Sequence, residues 1–172
     1  MDDTIANWLN GNIAAYRDRW ALFNILVPMG DRMSSQATSS AGLVIKAGGS
    51  ALAKTGSAVT TLVANGIPVS IAGSTDMPAL TGIDITAAYY RIVCFFIDSA
   101  AVVTVAAGKE GATMAAADFP PFPQGKALVG YLTINYASAF TGGTTPLDTA
   151  TTLYTSPTGA FDPSILPGTI GF

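Results

Sequence analysis

The chain has 172 residues, of which 49% are hydrophobic and only 11% are charged. A disordered protein needs the opposite balance, so this composition excludes disorder, and the length predicts one domain or one domain plus an arm. Eight Lys and Arg residues against eleven Asp and Glu residues give a net charge of −3, which leaves no basic face for nucleic acid.

No segment of the sequence has the length or flanks of a membrane or export signal. Apolar runs such as Ile92–Ile97 are far shorter than the ~20 residues that span a bilayer. The start, Met1-Asp2-Asp3, is acidic where a secretory signal peptide carries basic residues. We therefore expect a soluble chain made in the cytoplasm, with no membrane partner.

The first segment, Asp2–Val27, is predicted to be an amphipathic helix. Its apolar residues recur at steps of three or four, which places them on one helix face. Acidic residues at the start suit a helix N-terminus, and Pro28 marks the expected end. The members of the apolar face are Ile5, Leu9, Ile13, Tyr16, Trp20, Phe23 and Val27.

This helix has two interpretations, which the sequence leaves open. It is either an ordinary helix packed on its own domain or an arm that docks on a partner or a symmetry mate. Both tryptophans of the chain lie in it, and interfaces favour aromatic and arginine side chains. The predicted interface residues are Ile5, Trp8, Leu9, Tyr16, Arg17, Trp20 and Phe23.

Residues 29–40 have the composition of a flexible linker, most clearly in the polar run Ser34–Ser40. The composition then changes to short β-branched runs. We therefore predict two parts, a helical arm with its linker over residues 1–40 and a β domain over residues 41–172.

The β domain contains eight predicted strands separated by Gly, Pro, Asn and Asp. Asn65-Gly66 is a strong hairpin signal, because both residues tolerate positive φ. Asp98-Ser99 predicts a second turn between neighbouring strands. Strands at this spacing, without helical patterns between them, predict an antiparallel β-sandwich or a jelly-roll-like domain. The predicted strands are Leu43–Ala47, Val59–Ala64, Ile67–Ala72, Ile83–Thr86, Tyr89–Ile97, Ala101–Ala106, Leu128–Tyr136 and Thr151–Thr155.

Four further segments shape this prediction. Gly111–Ala117 is either a helical turn or a loop, and Phe119–Pro123 is excluded from a central strand because proline lacks the ladder donor. Tyr89-Tyr90 and Phe95-Phe96 are pairs of adjacent aromatic residues, so the two members of each pair point to opposite sides of a sheet. Either both faces of that sheet are buried, or one aromatic of each pair is exposed.

Gly48–Thr55 is the nearest match to a catalytic motif. It fits the phosphate-loop pattern except that Ala53 replaces a required glycine. A phosphate loop must be followed by a helix, whereas Ala58–Val63 has the composition of a strand. A strand, a Gly-Gly turn and a second strand therefore explain these residues better.

The remaining reactive groups are scattered along the chain. There is no histidine, and Glu110 is the sole glutamate. Asp76, Asp84 and Asp98 lack calcium-loop spacing, so turn and cap roles are expected for them. Cys94 lies in an apolar run and is interpreted as a small core residue. We expect no catalytic residue, metal, cofactor or disulfide, and no enzymatic activity.

The β region resembles a family of tailed-bacteriophage virion proteins. The segments that carry the resemblance are Leu43–Gly49, Val93–Ala100, Glu110–Ala112, Phe119-Pro120, Pro123–Tyr131, Gly142–Asp148 and Gly159–Pro163. The resemblance implies a structural protein of the phage head, either a decoration (cement) protein or a head fibre, with no enzymatic site. The amino-terminal segment is not part of the pattern.

The expected function is therefore capsid decoration. The protein would be an oligomer, expected to be a homotrimer, that sits on the outer surface of the virion and clamps the major capsid protein. The alternative is a fibre or tail module that binds a host glycan or receptor, and an enzyme is the third option. Exposed aromatics with polar neighbours on the β domain would favour glycan binding, whereas an arm buried against capsid subunits would favour decoration.

Overall fold

The structure, a computed structural model, describes residues 30–31 and 33–160. These residues are mainly β, every strand pairs antiparallel, and helix is limited to short segments such as the 3-10 turn Met114–Ala116. The mainly β, antiparallel class is thus confirmed. The predicted helix Asp2–Val27 lies outside the described residues. The strands are β1 Gln36–Ala37, β2 Val44–Ile45, β3 Ala53–Lys54, β4 Thr60–Ala64, β5 Ile67–Ile71, β6 Tyr90–Ile97, β7 Val103–Ala107, β8 Ala127–Asn135 and β9 Thr151–Thr155.

The strands form three sheets. β1, β4 and β5 make a three-stranded sheet in the order β1-β4-β5, and β2 and β3 form a separate hairpin. The largest sheet has the order β7-β6-β8-β9. β1 and β4 both contact β8, so the three-stranded sheet packs over the middle of the four-stranded one.

The β4–β5 hairpin forms where the sequence predicts it. Asn65 has a φ of 51° and Gly66 a φ of 76°, the left-handed conformations that a tight hairpin turn requires. The pairing runs from Thr60 opposite Ile71 to Ala64 opposite Ile67. Alternate residues of β4 are buried, as expected for a strand with one face on the core.

β6 and β8 are the centre of the fold. All residues of β6 from Ile92 to Ile97 are buried, and so are the first eight of β8. The register shifts between Phe95 and Phe96, which lie opposite Gly130 and Leu128, so Val129 is the extra residue of a β-bulge. Both strands are apolar at nearly every position because the sheet is covered on both faces.

The inner face of the four-stranded sheet is the one that meets the three-stranded sheet. Its core joins side chains from all three sheets and from the loops between them. The largest fully buried members include Phe95, Leu62, Leu80, Leu132, Ile134, Phe140 and Leu147. One continuous core therefore connects the described sheets.

The outer face is covered by a segment that is not a strand. Ala117, Phe119 and Phe122 pack over Phe96 and Tyr131. The Phe96 and Phe122 ring centroids lie 5.1 Å apart at 77°, an edge-to-face arrangement. Phe95 thus belongs to the inner core and Phe96 to the outer one, which decides between the two interpretations of that aromatic pair in favour of burial on both faces.

Several elements differ from the expected ones. Ile83–Thr86 was predicted as a strand, but it contributes only an isolated bridge between Ile85 and Phe140. β3 is a short strand that the sequence does not predict. The polar run Ser34–Ser40, expected to be a flexible connector, contains β1, and Ala37 is buried there. These elements are short and depend on partners that are distant in the sequence.

Candidate functional site

The seven predicted interface residues lie outside the described part of the chain. They are Ile5, Trp8, Leu9, Tyr16, Arg17, Trp20 and Phe23. What the structure does describe is the point at which the chain following them joins the β sheets.

The junction is fixed by hydrogen bonds to two loops. The backbone N–H of Gly125 donates to Asp31 Oδ1 at 3.0 Å. On the β4–β5 turn, the N–H of Gly66 donates to the Ser34 carbonyl at 2.8 Å, and that of Asn65 donates to Ser35 Oγ at 3.0 Å. The chain therefore enters along the hairpin turn with both its backbone and its side chains bonded.

The carboxyl end of the described chain lies beside this entry. The N–H of Gly159 donates to the Ala37 carbonyl at 2.7 Å. The N–H of Leu43 donates to Ser156 Oγ at 3.0 Å. The two ends of the described chain are thus neighbours, and we call this region the junction face. A cavity of about 80 Å³ opens on it, lined by Asp31, Ser35, Gln36, Ala37, Phe122, Pro123, Lys126, Leu128, Pro157 and Gly159.

Sequence reasoning missed the residues that build the junction face. Asp31, Ser34 and Ser35 contributed only to a linker-like composition. Short polar side chains of this kind often bond to backbone groups, which is the one signal the sequence carries. Their partners, Gly125 and the Asn65-Gly66 turn, lie far along the chain and follow from the fold alone.

A second concave region, the polar depression, has a volume of about 570 Å³ and is open to solvent. Glu110 accepts hydrogen bonds from the N–H and the hydroxyl of Thr86, at 2.9 and 2.7 Å. These two bonds, together with the charge of Arg91, hold the pKa of Glu110 below its ordinary value. Arg91 donates to the Gly108 carbonyl at 2.9 Å and to the Asp84 carbonyl at 2.6 Å. The charged groups thus bind the surrounding loops together.

One exposed aromatic lies near this depression. Tyr89 is 37% exposed, and its carbonyl accepts a hydrogen bond from Asn135 Nδ2 at 3.0 Å. The N–H of Tyr89 donates to the Thr86 carbonyl at 3.0 Å. Tyr89 therefore lies on the same turn as Thr86, the residue that donates both hydrogen bonds to Glu110. An exposed aromatic side chain is a surface feature expected of a glycan-binding module.

The broken phosphate-loop segment is a β-hairpin. β2 and β3 pair across the Gly48-Gly49 turn, and the N–H of Gly49 donates to Asp148 Oδ2 at 2.7 Å. A backbone N–H group of this turn is therefore already bonded to a carboxylate. The expected strand after this segment is present as β4, but the strand that pairs across the Gly-Gly turn is β3, Ala53–Lys54, which the sequence does not predict.

The aspartates considered for calcium lie apart and have other partners. Asp76 pairs with Lys46, and Asp84 accepts from the N–H of Gly142 at 3.2 Å. Asp98 Oδ1 accepts from the N–H groups of Ala100 and Val102, both at 3.0 Å, and so closes the β6–β7 turn. Within residues 30–31 and 33–160, no group of three or more Cys, Asp or Glu residues is arranged to hold a metal ion.

Cys94 is a core residue, as expected. It is fully buried in the outer core, and burial raises the pKa of its thiol far above the ordinary value. A neutral thiol is a poor nucleophile and a poor metal ligand. Cys94 therefore contributes packing to the outer core.

Comparisons of the chain with protein-family models, with curated proteins and with solved structures found no match. In the described ranges, no helix is long and apolar enough to cross a membrane. The functional assignment therefore depends on the geometry of this chain and on the resemblance in its sequence.

Proposed function

We propose that this protein is a structural virion protein, a phage capsid decoration protein that binds the outer capsid surface and stabilises the shell. The observation that carries the proposal is the fixed entry of the chain at the junction face. There, Asp31, Ser34 and Ser35 are bonded to two loops of the β sheets. An attachment segment made of residues 1–29 would start from a rigid support.

The apolar residues of that segment support an attachment role. Both tryptophans of the chain, Trp8 and Trp20, precede the junction. Each large apolar side chain contributes ~1.5–3 kcal/mol when it becomes fully buried. Ordering the backbone costs ~1–2 kcal/mol per residue, so several anchors must act together. A rigid support lowers this cost, because fewer residues between anchor and sheet lose freedom on binding.

The proposed mechanism is stabilisation by mass action. A protein that binds only the assembled shell adds its binding free energy to the stability of that shell. The proposed partner is the major capsid protein, the location is the virion surface, and the protein itself is proposed to be a homotrimer. We further infer that the three-stranded and four-stranded sheets, which share one core, are the two layers of a β-sandwich.

Trp20→Ala tests the attachment role. We expect lower occupancy on particles with an unchanged melting temperature of the free protein. Val59→Ala is the matched control, because Val59 is 60% exposed on the β region and should leave both quantities unchanged. Occupancy is measured by cryo-electron microscopy of particles, and melting by circular dichroism. Unchanged occupancy with a lower melting temperature would instead indicate that the predicted helix Asp2–Val27 packs on the protein's own domain.

The alternative is a fibre or tail module that binds a host glycan, and the exposure of Tyr89 beside the polar depression favours it. Binding of the purified protein to a glycan array, lost in Tyr89→Ala and kept in Val59→Ala, would support this function. Absence of glycan binding, together with particle binding that survives Tyr89→Ala, would exclude it.

A further inference from the structure

β9 is one edge of the four-stranded sheet, and the direction of its peptide groups follows from the ladder. The N–H of Gly108 donates to the Ile92 carbonyl on the β7 side. Thr133 lies opposite Ile92 on the other side, so the peptide groups of Thr133 point to β9. Thr133 and its partner Leu153 therefore exchange hydrogen bonds.

Because these directions alternate along a strand, the peptide groups of Thr152 and Tyr154 point away from the sheet. Within the described part of the chain, no hydrogen bond uses them. Leu153, between them, is 54% exposed although leucine in a sheet is usually covered. Thr151–Thr155 contains neither a charged residue nor a proline. Among the described residues, β9 is thus an open edge without the features that prevent strand addition.

The other edges of the three-stranded and four-stranded sheets offer less to a further strand, and β2 and β3 have only two residues each. β5 carries Pro68, which lacks the donor that a further strand would need. β1 has two residues, and Gly159 already pairs with Ala37 on its outer side. β7 consists of half-buried residues without an exposed large side chain. The open edge of β9 is therefore the most favourable place for another strand.

We propose that β9 pairs antiparallel with β9 of a second copy of this chain, about a two-fold axis at Leu153. In this register Thr152 of each copy lies opposite Tyr154 of the other, and the outward peptide groups of both residues find partners. The two copies of Leu153 lie opposite each other and cover each other, while Thr151 lies opposite Thr155.

A second copy is the occupant that fits this strand best. β9 has the same residue type, threonine, at its two ends and its exposed leucine at the centre, so it is complementary to itself when reversed. The strand is uncharged, and two copies meet without repulsion although the whole chain has a net charge of −3. The proposal does not depend on capsid binding; in a trimeric assembly this contact would join two trimers.

A cysteine at the axis gives the sharpest test. The peptide groups of Leu153 point to β8, so Leu153 and its copy would form a non-hydrogen-bonded pair across the two-fold axis. Residues in a pair of this kind have Cα atoms about 4.5 Å apart, within the range that a disulfide spans. Leu153→Cys should therefore form a covalent dimer under mild oxidation at low micromolar concentration. The native Cys94 is buried and does not compete. The control Val59→Cys, at a site that is 60% exposed, should remain monomeric on a non-reducing gel over the same time. Equal cross-linking of the two variants would overturn the proposal.

Charged variants test the same axis without covalent chemistry. Leu153→Lys places two like charges opposite each other and removes the leucine contact, so self-association through β9 should weaken by about tenfold or more. Leu153→Glu should do the same, and an equimolar mixture of both variants should associate again as a heterodimer. Sedimentation equilibrium measures each state, with Val59→Lys as the control. A wild-type protein that stays monomeric, or association that Leu153→Lys does not weaken, would contradict the pairing.

Discussion

The two faces of the four-stranded sheet are buried by different means. The inner face is covered by another sheet and by the β2–β3 hairpin, whose side chains join one large core. The outer face is covered by Ala117, Phe119 and Phe122, which belong to no strand. Both covers exclude water from β6, yet the inner one is supported by strand ladders and the outer one by a few backbone contacts.

Those backbone contacts explain how an irregular segment stays in place. Tyr90 and Gly111 exchange N–H to carbonyl bonds of 2.8 and 2.9 Å, and the N–H of Asp118 donates to the Lys109 carbonyl at 3.1 Å. Gly108 and Gly111 allow the segment to approach, because a Cβ on either would overlap the backbone of Asp118 or Ala116. Close backbone contact at glycines thus replaces strand pairing on this face.

The largest expected effect contrasts one aromatic from each cover. Phe95→Ala creates a cavity in the inner core, where Phe95 is fully buried, and should lower the free energy of unfolding by about 3–5 kcal/mol. Phe122→Ala removes a half-buried ring from the outer cover and should cost about 1–2 kcal/mol. Chemical denaturation measures both. Equal losses would mean that the outer cover is as essential to the fold as the sheet packing.

A smaller effect tests the glycine contacts of the outer cover. Gly108→Ala forces Asp118 away from β7 and should cost about 1–3 kcal/mol, with faster hydrogen exchange at the Asp118 amide. Gly48→Ala is the matched control, since its Cβ would meet only Asp148 Oδ2 at 3.9 Å. A stable Gly108→Ala variant with unchanged exchange would show that the segment is held by its aromatic side chains instead.

Local signals were sufficient for the long strands and their turns. β9 has the predicted bounds, and the Asn65-Gly66 and Asp98 turns form because their geometry depends on neighbouring residues. β1 and β3 have two residues each and are defined by partners elsewhere, so no local pattern identifies them. Ile83–Thr86 has strand composition, yet β composition describes a fit to a sheet surface, and only Ile85 finds a bridge there.

The functional site was less predictable than the fold. The seven interface residues, predicted from helical periodicity and from the aromatic and arginine side chains that interfaces favour, lie outside the described chain and remain predictions. The junction face depends on bonds from Asp31, Ser34 and Ser35 to distant loops, which composition does not reveal. The exposure of Leu153 also needed the structure, because a sequence shows which residues alternate in β9 but not that the strand lies at an edge.

The smallest expected effect concerns Glu110, which precedes the residues of the outer cover in the chain and accepts two hydrogen bonds from Thr86. Two hydrogen bonds from Thr86, and then the charge of Arg91, lower the pKa of Glu110 from its ordinary 4.5. A carboxyl whose pKa is lower in the folded state adds stability at neutral pH, which is lost as the pH falls through 4.5 and then through the folded-state pKa.

Glu110→Gln should therefore melt slightly below the wild type at pH 7, and the difference should shrink as the pH decreases towards 3. Circular dichroism melts across this range measure it, with Asp118→Asn reporting the general effect of removing one negative charge. A difference that grows on acidification would contradict this role, because only a carboxyl that is stabilised in its protonated form behaves in that way.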